Sequence, residues 1–188
     1  APLLAEKIRL ETGAVEGEVP FAELGEIFNP TWAPDGRSIA FSAQVGGFTD
    51  LFVYDLERRQ LRRLTEDAYA DLQPAWAPDG HAIAFVTDRF GTSLATLAYG
   101  NYQLAVVDPA SGRVRALPTL GDAKHINPQW SPDGQSLYFL ADRGGVTNVY
   151  RLALADGEFA QVTSLYTGVS GITALSPALS VAQRSGRL

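Results

Sequence analysis

The sequence predicts an all-β protein of repeated four-stranded antiparallel blades, a β-propeller or an arc of one. Three observations lead there. One phrase occurs three times: Asn29-Pro30-Thr31-Trp32-Ala33-Pro34-Asp35-Gly36, Gln73-Pro74-Ala75-Trp76-Ala77-Pro78-Asp79-Gly80 and Asn127-Pro128-Gln129-Trp130-Ser131-Pro132-Asp133-Gly134. Each copy leads into an alternating apolar run (Ile39 and Phe41, Ile83 and Phe85, Leu137 and Phe139), the period-two pattern of a strand with one buried face. The tryptophans stand 44 and then 54 residues apart, near the roughly 40 to 45 residues of a four-stranded propeller blade.

Taken in order, residues 1–28 read as the end of a preceding blade plus a connection. The run Ile8-Arg9-Leu10-Glu11-Thr12-Gly13-Ala14-Val15 resembles residues 106–114, the third strand, turn and fourth strand of a blade. Blade one covers 29–72, with a strand through Trp32 and others at 38–43, 51–56 and 60–65. Its first turn is encoded locally: Pro34 presets φ, Asp35 can accept from the backbone two residues on, and Gly36 enters conformations closed to residues with a Cβ. Blade two covers 73–126, and blade three covers 127–171 with strands at 136–141, 148–154 and 159–163. Asp156-Gly157 marks the last hairpin of blade three. Residues 172–188 read as the start of a truncated fourth blade, Ser176-Pro177-Ala178-Leu179-Ser180 resembling residues 127–131 with Leu179 in the tryptophan's place and the Asp-Gly turn lost. The terminal strands could pair into a composite fourth blade, or the chain could be an arc of a larger ring; four blades are at the small end of the propeller range, which favours the arc.

Composition narrows the function. At 188 residues and 46% hydrophobic, the chain can build a sizeable core. A formal charge of −6 disfavours a nucleic acid partner, because a phosphate backbone requires positive charge. No apolar stretch approaches the roughly 18 residues of a membrane helix, and no leader opens the chain. There is no cysteine, which excludes disulfides, zinc-thiolate sites and thiol catalysis, and there is no methionine, so the chain reads as processed or as part of something longer.

The repeat phrase, followed by Asp-Arg-x-Gly at residues 88–91 and 142–145 and by Arg63-Leu64-Thr65, resembles the repeats of TolB-like propellers over about residues 7–182. Related blades occur in TolB, in the gating propellers of prolyl oligopeptidase-type serine peptidases, and in large exported bacterial proteins that join a zinc-peptidase-like domain to a propeller. Residues 16–28 and 168–177 look most like the last group. The resemblance implies a periplasmic or otherwise exported location. It also implies a protein partner, the missing blades of a longer chain, or a larger membrane-associated assembly. TolB-like rings normally have about six blades, and this chain supplies about four.

Chemistry-bearing residues are sparse. Trp32, Trp76 and Trp130 occupy equivalent positions and are expected to pack between blades, since large rings dominate such seams. Asp35 with Gly36, Asp79 with Gly80 and Asp133 with Gly134 are expected to be turn residues; set around a ring, the aspartates would not converge as a cation requires. His81 and His125 are both expected in solvated positions, the latter in an interblade connection. No His-Glu-x-x-His helix and no Gly-x-Ser-x-Gly elbow is present, so neither a catalytic constellation nor a metal or other cofactor is expected. Arg58, Arg59, Arg62 and Arg63 surround the hairpin into an outermost strand, where like charges discourage edge-to-edge pairing or dock an acidic partner.

The repeat breaks at residues 90–101. Asp35 to Asp55 spans 20 residues and Asp79 to Asp108 spans 29, so blade two carries an insertion of about nine residues between its second and third strands. The segment is apolar, aromatic and uncharged, with Phe90, Leu94, Leu97, Tyr99, Asn101 and Tyr102 as candidate contact residues. Insertions in repeat proteins map to loops on one face, often the binding face. The expectation is a non-catalytic module that holds another protein or scaffolds an assembly. The alternatives are a substrate-gating domain of a peptidase whose catalytic residues lie elsewhere, and an accessory subunit of a membrane-associated complex.

Overall fold

A computed structural model describes residues 3–8, 12–172 and 177–188. Two strands, β1 (Leu3–Ile8) and β2 (Val15–Phe21), form an opening hairpin. Blade one is β3 (Ile27–Trp32), β4 (Ser38–Val45), β5 (Phe48–Asp55) and β6 (Gln60–Arg63). Blade two is β7 (Asp71–Trp76), β8 (Ile83–Thr87), β9 (Gln103–Val107) and β10 (Val114–Ala116). Blade three is β11 (Lys124–Trp130), β12 (Ser136–Arg143), β13 (Val146–Ala153) and β14 (Phe159–Gln161). Each blade is a four-stranded antiparallel meander, so the fold is the all-β propeller architecture that the repeats predict.

The turns carry this architecture. In all three copies of the phrase the aspartate accepts from the backbone N–H two residues on: Arg37 to Asp35 at 2.9 Å, His81 to Asp79 at 2.9 Å and Gln135 to Asp133 at 3.0 Å. Gly36, Gly80 and Gly134 all take φ near +70°, which a residue with a Cβ adopts at a cost. The turn from third to fourth strand repeats too, with Arg59, Gly112 and Gly157 at positive φ. Gly13, between β1 and β2, shares that conformation. The opening hairpin therefore stands as the third and fourth strands of a blade. Of the sequence run that suggested this, residues 9–11 lie outside the described residues.

Blades pack face to face through apolar seams. Between blades one and two lie Ala40, Leu51, Val53 and Leu64 on one side and Ile83, Phe85, Ala105 and Val107 on the other. Between blades two and three, Ala75, Val86, Leu104 and Leu117 meet Trp130, Leu137, Phe139 and Leu152. The opening hairpin meets blade one through Phe21, whose ring lies 5.4 Å from Phe41 and 5.2 Å from Tyr54.

The tryptophans differ from the expectation of uniform interblade packing. Trp130 is 6% exposed, Trp76 is half-buried, and Trp32 is 48% exposed. Trp76 has a full blade before it, yet its buried indole N–H finds no partner among the described residues; Trp130 and Trp32 differ in what stands before each. The Trp130 indole N–H donates to the Ala75 carbonyl, on the innermost strand of the preceding blade, at 2.9 Å. Before Trp32 the described residues provide only β1 and β2, and no innermost strand.

A second departure concerns the innermost strands themselves. Asn29, Gln73 and Asn127, each just before a proline, have φ of 49°, 55° and 52°. At each of them the strand register shifts, so the phrase contains a bulge. Two of these bulge side chains reach the next unit: Asn127 N–H donates to Gln73 Oε1 at 2.8 Å, and Ala178 N–H donates to Asn127 Oδ1 at 3.1 Å; the Asn29 amide is buried without a partner among the described residues. Ala178 thus stands where Asn127 stands one blade earlier, and Val181, buried, takes the tryptophan position two residues beyond the expected Leu179. A turn survives there: Ala182 N–H donates to the Arg187 carbonyl at 2.9 Å, as Ala33 does to Ser38 at 2.8 Å. Leu179 is buried instead against Ile126, Leu140 and Val149. Ser176, part of the expected repeat, lies outside the described residues.

Candidate functional site

Antiparallel alternation sorts the loops. One end of the blades carries the Pro-Asp-Gly turns and the turns from third to fourth strand. The other, the connection end, carries the β4–β5 and β12–β13 turns, the β8–β9 insertion and the links between blades. The turn end presents polar and charged groups, Asp35, Arg37, Arg58, Asp79, His81 and Asp133 among them. The connection end presents Phe48, Phe90, Leu94, Leu97, Tyr99, Leu165 and Tyr166, all exposed.

The insertion is a built structure. Ser93 and Ala98 form a bridge, exchanging N–H to O bonds of 2.8 and 3.2 Å, with Leu97 at φ 54° closing the tip. At the neck, the Thr92 hydroxyl donates to Asp88 Oδ2 at 2.7 Å and accepts from Gly100 N–H at 3.0 Å. Gly91 and Gly100 pass so close that a Cβ on Gly100 would overlap the Gly91 backbone, which explains the glycine there. Asn101 Nδ2 donates to the Asp122 carbonyl at 2.7 Å, tying the insertion to the link into blade three. Held this way, Leu97 is 70% and Tyr99 81% exposed. Tyr102 points inward, half-buried against the core, with the Lys124 ammonium 5.8 Å from its ring centre. Burial, and then the Asp88 charge, raise the Tyr102 hydroxyl above its ordinary value.

Beneath this end lies a network the sequence did not disclose. Asp50 and Asp71 are fully buried, and with Asp67 they bring carboxylate oxygens within 4.8 Å of one another. Two guanidiniums sit on them: Arg63 pairs with Asp50 at 2.6 Å, and Arg89 pairs with Asp71 at 2.5 Å and Asp67 at 3.0 Å. Three carboxylates of this kind could share a cation, but here each is already paired with an arginine. Asp50 also accepts from the Thr65 hydroxyl at 3.4 Å, and Asn148 accepts from Thr163 in blade three at 2.9 Å, so the arrangement belongs to the repeat. Burial raises Asp71 above the usual carboxylate value, opposed by the Thr87 hydroxyl and Arg89. Partners 13 and 18 residues apart in sequence gave no signal, although Arg63-Leu64-Thr65 and Asp88-Arg89 stand in the repeat.

The arginine cluster divides. Arg58 caps its own turn on Asp55 at 3.4 Å, and Arg62 reaches the Pro109 and Ala110 carbonyls of blade two. Arg63 anchors the buried Asp50, so it is no free edge charge; Arg59 is exposed.

His125 corrects the expectation of a solvated loop. It lies in β11, fully buried, its ring edge-on to Phe139 at 5.2 Å. Nε2 accepts from Leu120 N–H at 3.1 Å, which leaves the proton on Nδ1, a buried atom without a partner. Burial lowers its pKa to about 4. The sequence reading placed it in the connection between blades two and three, but the strand already begins at Lys124. His81 is exposed.

Residues 8–95 match the model of the TolB beta propeller domain. TolB from Acinetobacter baumannii superposes with a TM-score of 0.66 at 26% identity, over 83% of this chain and 36% of that one. A puromycin hydrolase superposes with a TM-score of 0.66 at 21% identity, over 88% of this chain and 25% of the other. Among curated proteins, dipeptidyl-peptidase 5 of Porphyromonas gingivalis is 26% identical over 168 residues, 78% of this chain and 22% of that protein. The chain thus spans about a fifth of the length of that relative.

Proposed function

We propose that this chain, which is similar to TolB propellers in the sequence of residues 8–95 and in its fold, works as a non-catalytic binding module whose connection end holds another folded protein or domain. The observation that carries this is the insertion hairpin. A neck fixed by Thr92, Asp88 and Asn101 presents Leu97 and Tyr99 to water. Large apolar groups clustered in that way mark interaction sites. Tyrosine combines a broad apolar face with a hydroxyl and is favoured as an anchor. A periplasmic or otherwise exported location accompanies this reading through the resemblance to TolB propellers.

Site-specific photo-crosslinkers test it in the source cell. Groups placed at Leu97 and Tyr99 should give one discrete protein adduct, and groups at Asp35 and Asp133 on the opposite end should not. Equal adducts from both ends, or none from the insertion, would remove the connection end as the contact surface.

A second reading is favoured by the similarity to dipeptidyl-peptidase 5 over most of the chain: a propeller that admits substrate to a peptidase domain. On that reading, deleting residues 92–100 from the full-length protein alters cleavage of long peptides relative to short ones. On the first reading the same deletion abolishes the adduct and leaves any such ratio unchanged.

A further inference from the structure

Between the neck of the insertion and the link into blade three lies a cleft of about 300 Å³, lined by Tyr99, Asn101, Gln103, Asp122 and the crossing of Gly91 and Gly100 among others. That is the lower end of the size range of small-ligand sites, enough for one long side chain. Asn101 Nδ2 is spent on the Asp122 carbonyl at 2.7 Å, which leaves its Oδ1 to accept. The bond engages the Asp122 main chain and not its carboxylate, and Asp122 is exposed. The glycines keep the wall open, since a Cβ on Gly91 would stand 3.2 Å from the Gly100 backbone and 3.7 Å from Gln103 Nε2. Tyr99, 81% exposed, leaves its ring free for a guest.

The charge around the cleft has one sign. No lysine, arginine or histidine lines it. Lys124, close by in sequence, holds its ammonium 5.8 Å from the Tyr102 ring centre instead. Among the described residues, the exposed charges of the connection end are Glu23, Glu26, Glu66, Asp122 and Asp142 against Lys124 and Arg143.

We propose that this cleft receives an arginine side chain of the partner protein. The inference rests on the connection end being the contact surface, and it names what that surface recognises. The guanidinium pairs with the Asp122 carboxylate, donates to Asn101 Oδ1 and Gln103 Oε1, and stacks on the Tyr99 ring. Complementary charge of this kind selects the partner and sets its register. Arginine fits where lysine does not, because its planar fork serves several acceptors at once and its flat face packs on an aromatic ring, whereas an ammonium is a compact, strongly hydrated point charge. The insertion brings the ring, the link into blade three brings the carboxylate, and the Asn101 bond holds the two together.

The test titrates the 188-residue chain with Nα-acetyl-arginine amide and follows nitrogen–proton spectra. The side-chain amides of Asn101 and Gln103 and the backbone amides of Gly91 and Asp122 should shift together, and the uncharged citrulline counterpart should shift none of them. Asp122→Asn keeps the main-chain carbonyl that Asn101 uses, and Tyr99→Leu alters an exposed side chain, so neither endangers the fold. Each should weaken binding about two- to fivefold, the range of an exposed ion pair or cation–π contact. In the source cell, Asp122→Asn should lower the yield of the adduct from a crosslinker at Leu97. No shift with arginine, equal shifts with citrulline, tighter binding of the blocked lysine, or variants that bind as the native chain does would overturn the proposal. An adduct from Leu97 that ignores Asp122→Asn would overturn it too, while leaving the connection end as the contact surface. No adduct at all removes that surface, and the proposal with it.

Discussion

The Trp130 indole N–H and the Ala75 carbonyl are joined by a 2.9 Å hydrogen bond inside the seam between blades two and three. A large ring and its one polar atom are thereby satisfied together, and two innermost strands are fixed relative to each other.

Tryptophan truncation should follow this geometry and not the repeat. Trp130→Ala removes a buried ring and is expected to cost about 3 to 5 kcal/mol. Trp32→Ala, at an exposed ring, should cost less than about 1 kcal/mol, with Trp76→Ala between them. Urea unfolding gives the order. A Trp32→Ala cost equal to that of Trp130→Ala would mean that the first seam is closed in solution.

Arg89→Ala should destabilise strongly, by about 3 to 5 kcal/mol, because it strands the buried Asp71 carboxylate. The deficit is expected to depend on pH. Asp71 already sits above its ordinary value of 3.8 in the folded chain, so its contribution is complete below that value and is lost as pH rises through the folded one. Without Arg89 the carboxyl holds its proton still higher, and the deficit should shrink in acid. Unfolding of both proteins at pH 4 and pH 7.5 checks this; a deficit that does not change with pH refutes it.

His125 should act with the opposite sign. Its folded pKa of about 4 lies below the ordinary 6.5, so its contribution is whole above 6.5 and is lost as pH falls toward 4. A difference of that size corresponds to roughly 3 kcal/mol at most. His125→Gln keeps an acceptor for Leu120 N–H and does not titrate. Its stability should therefore stay flatter than the native chain's between pH 6.5 and 4, and parallel curves would show that His125 is not buried neutral.

Gly100→Ala is expected to open the insertion at its neck, since the added methyl overlaps the Gly91 backbone. Exchange protection should fall at Ser93 and Ala98 while β8 and β9 keep theirs, and crosslinking from Tyr99 should fall with it. Retained protection at the Ser93–Ala98 bridge would show that the neck tolerates a side chain.

Most strands were legible because their information is local. The Pro-Asp-Gly turns fix where second strands begin, and alternation carries them: β4 and β12 start at Ser38 and Ser136 as expected and run two residues further than the apolar pattern, to Val45 and Arg143. What stayed hidden depends on the neighbouring blade. Trp32 and Trp130 sit at the same place in two copies of one phrase and differ in burial with what stands before them. The burial of His125, and the pairing of Asp71 with Arg89, arise from how strands 18 or fewer residues apart come together, which no single motif encodes. The insertion was readable as a length change, but the glycine crossing at its neck was not.

The left-handed residues before the prolines bear on how such a chain can change over time. Gln73 and Asn127 each reach forward to a main-chain N–H of the following unit, so the steps on either side of blade three are tied together at the innermost strands. Growth elsewhere does not enter those contacts. Blade two has gained about nine residues and still meets blade three through the same contact. A loop at the connection end can therefore change in length and composition while the innermost strands of blades two and three keep their contact, and a new binding surface can arise without the seam between them being rebuilt.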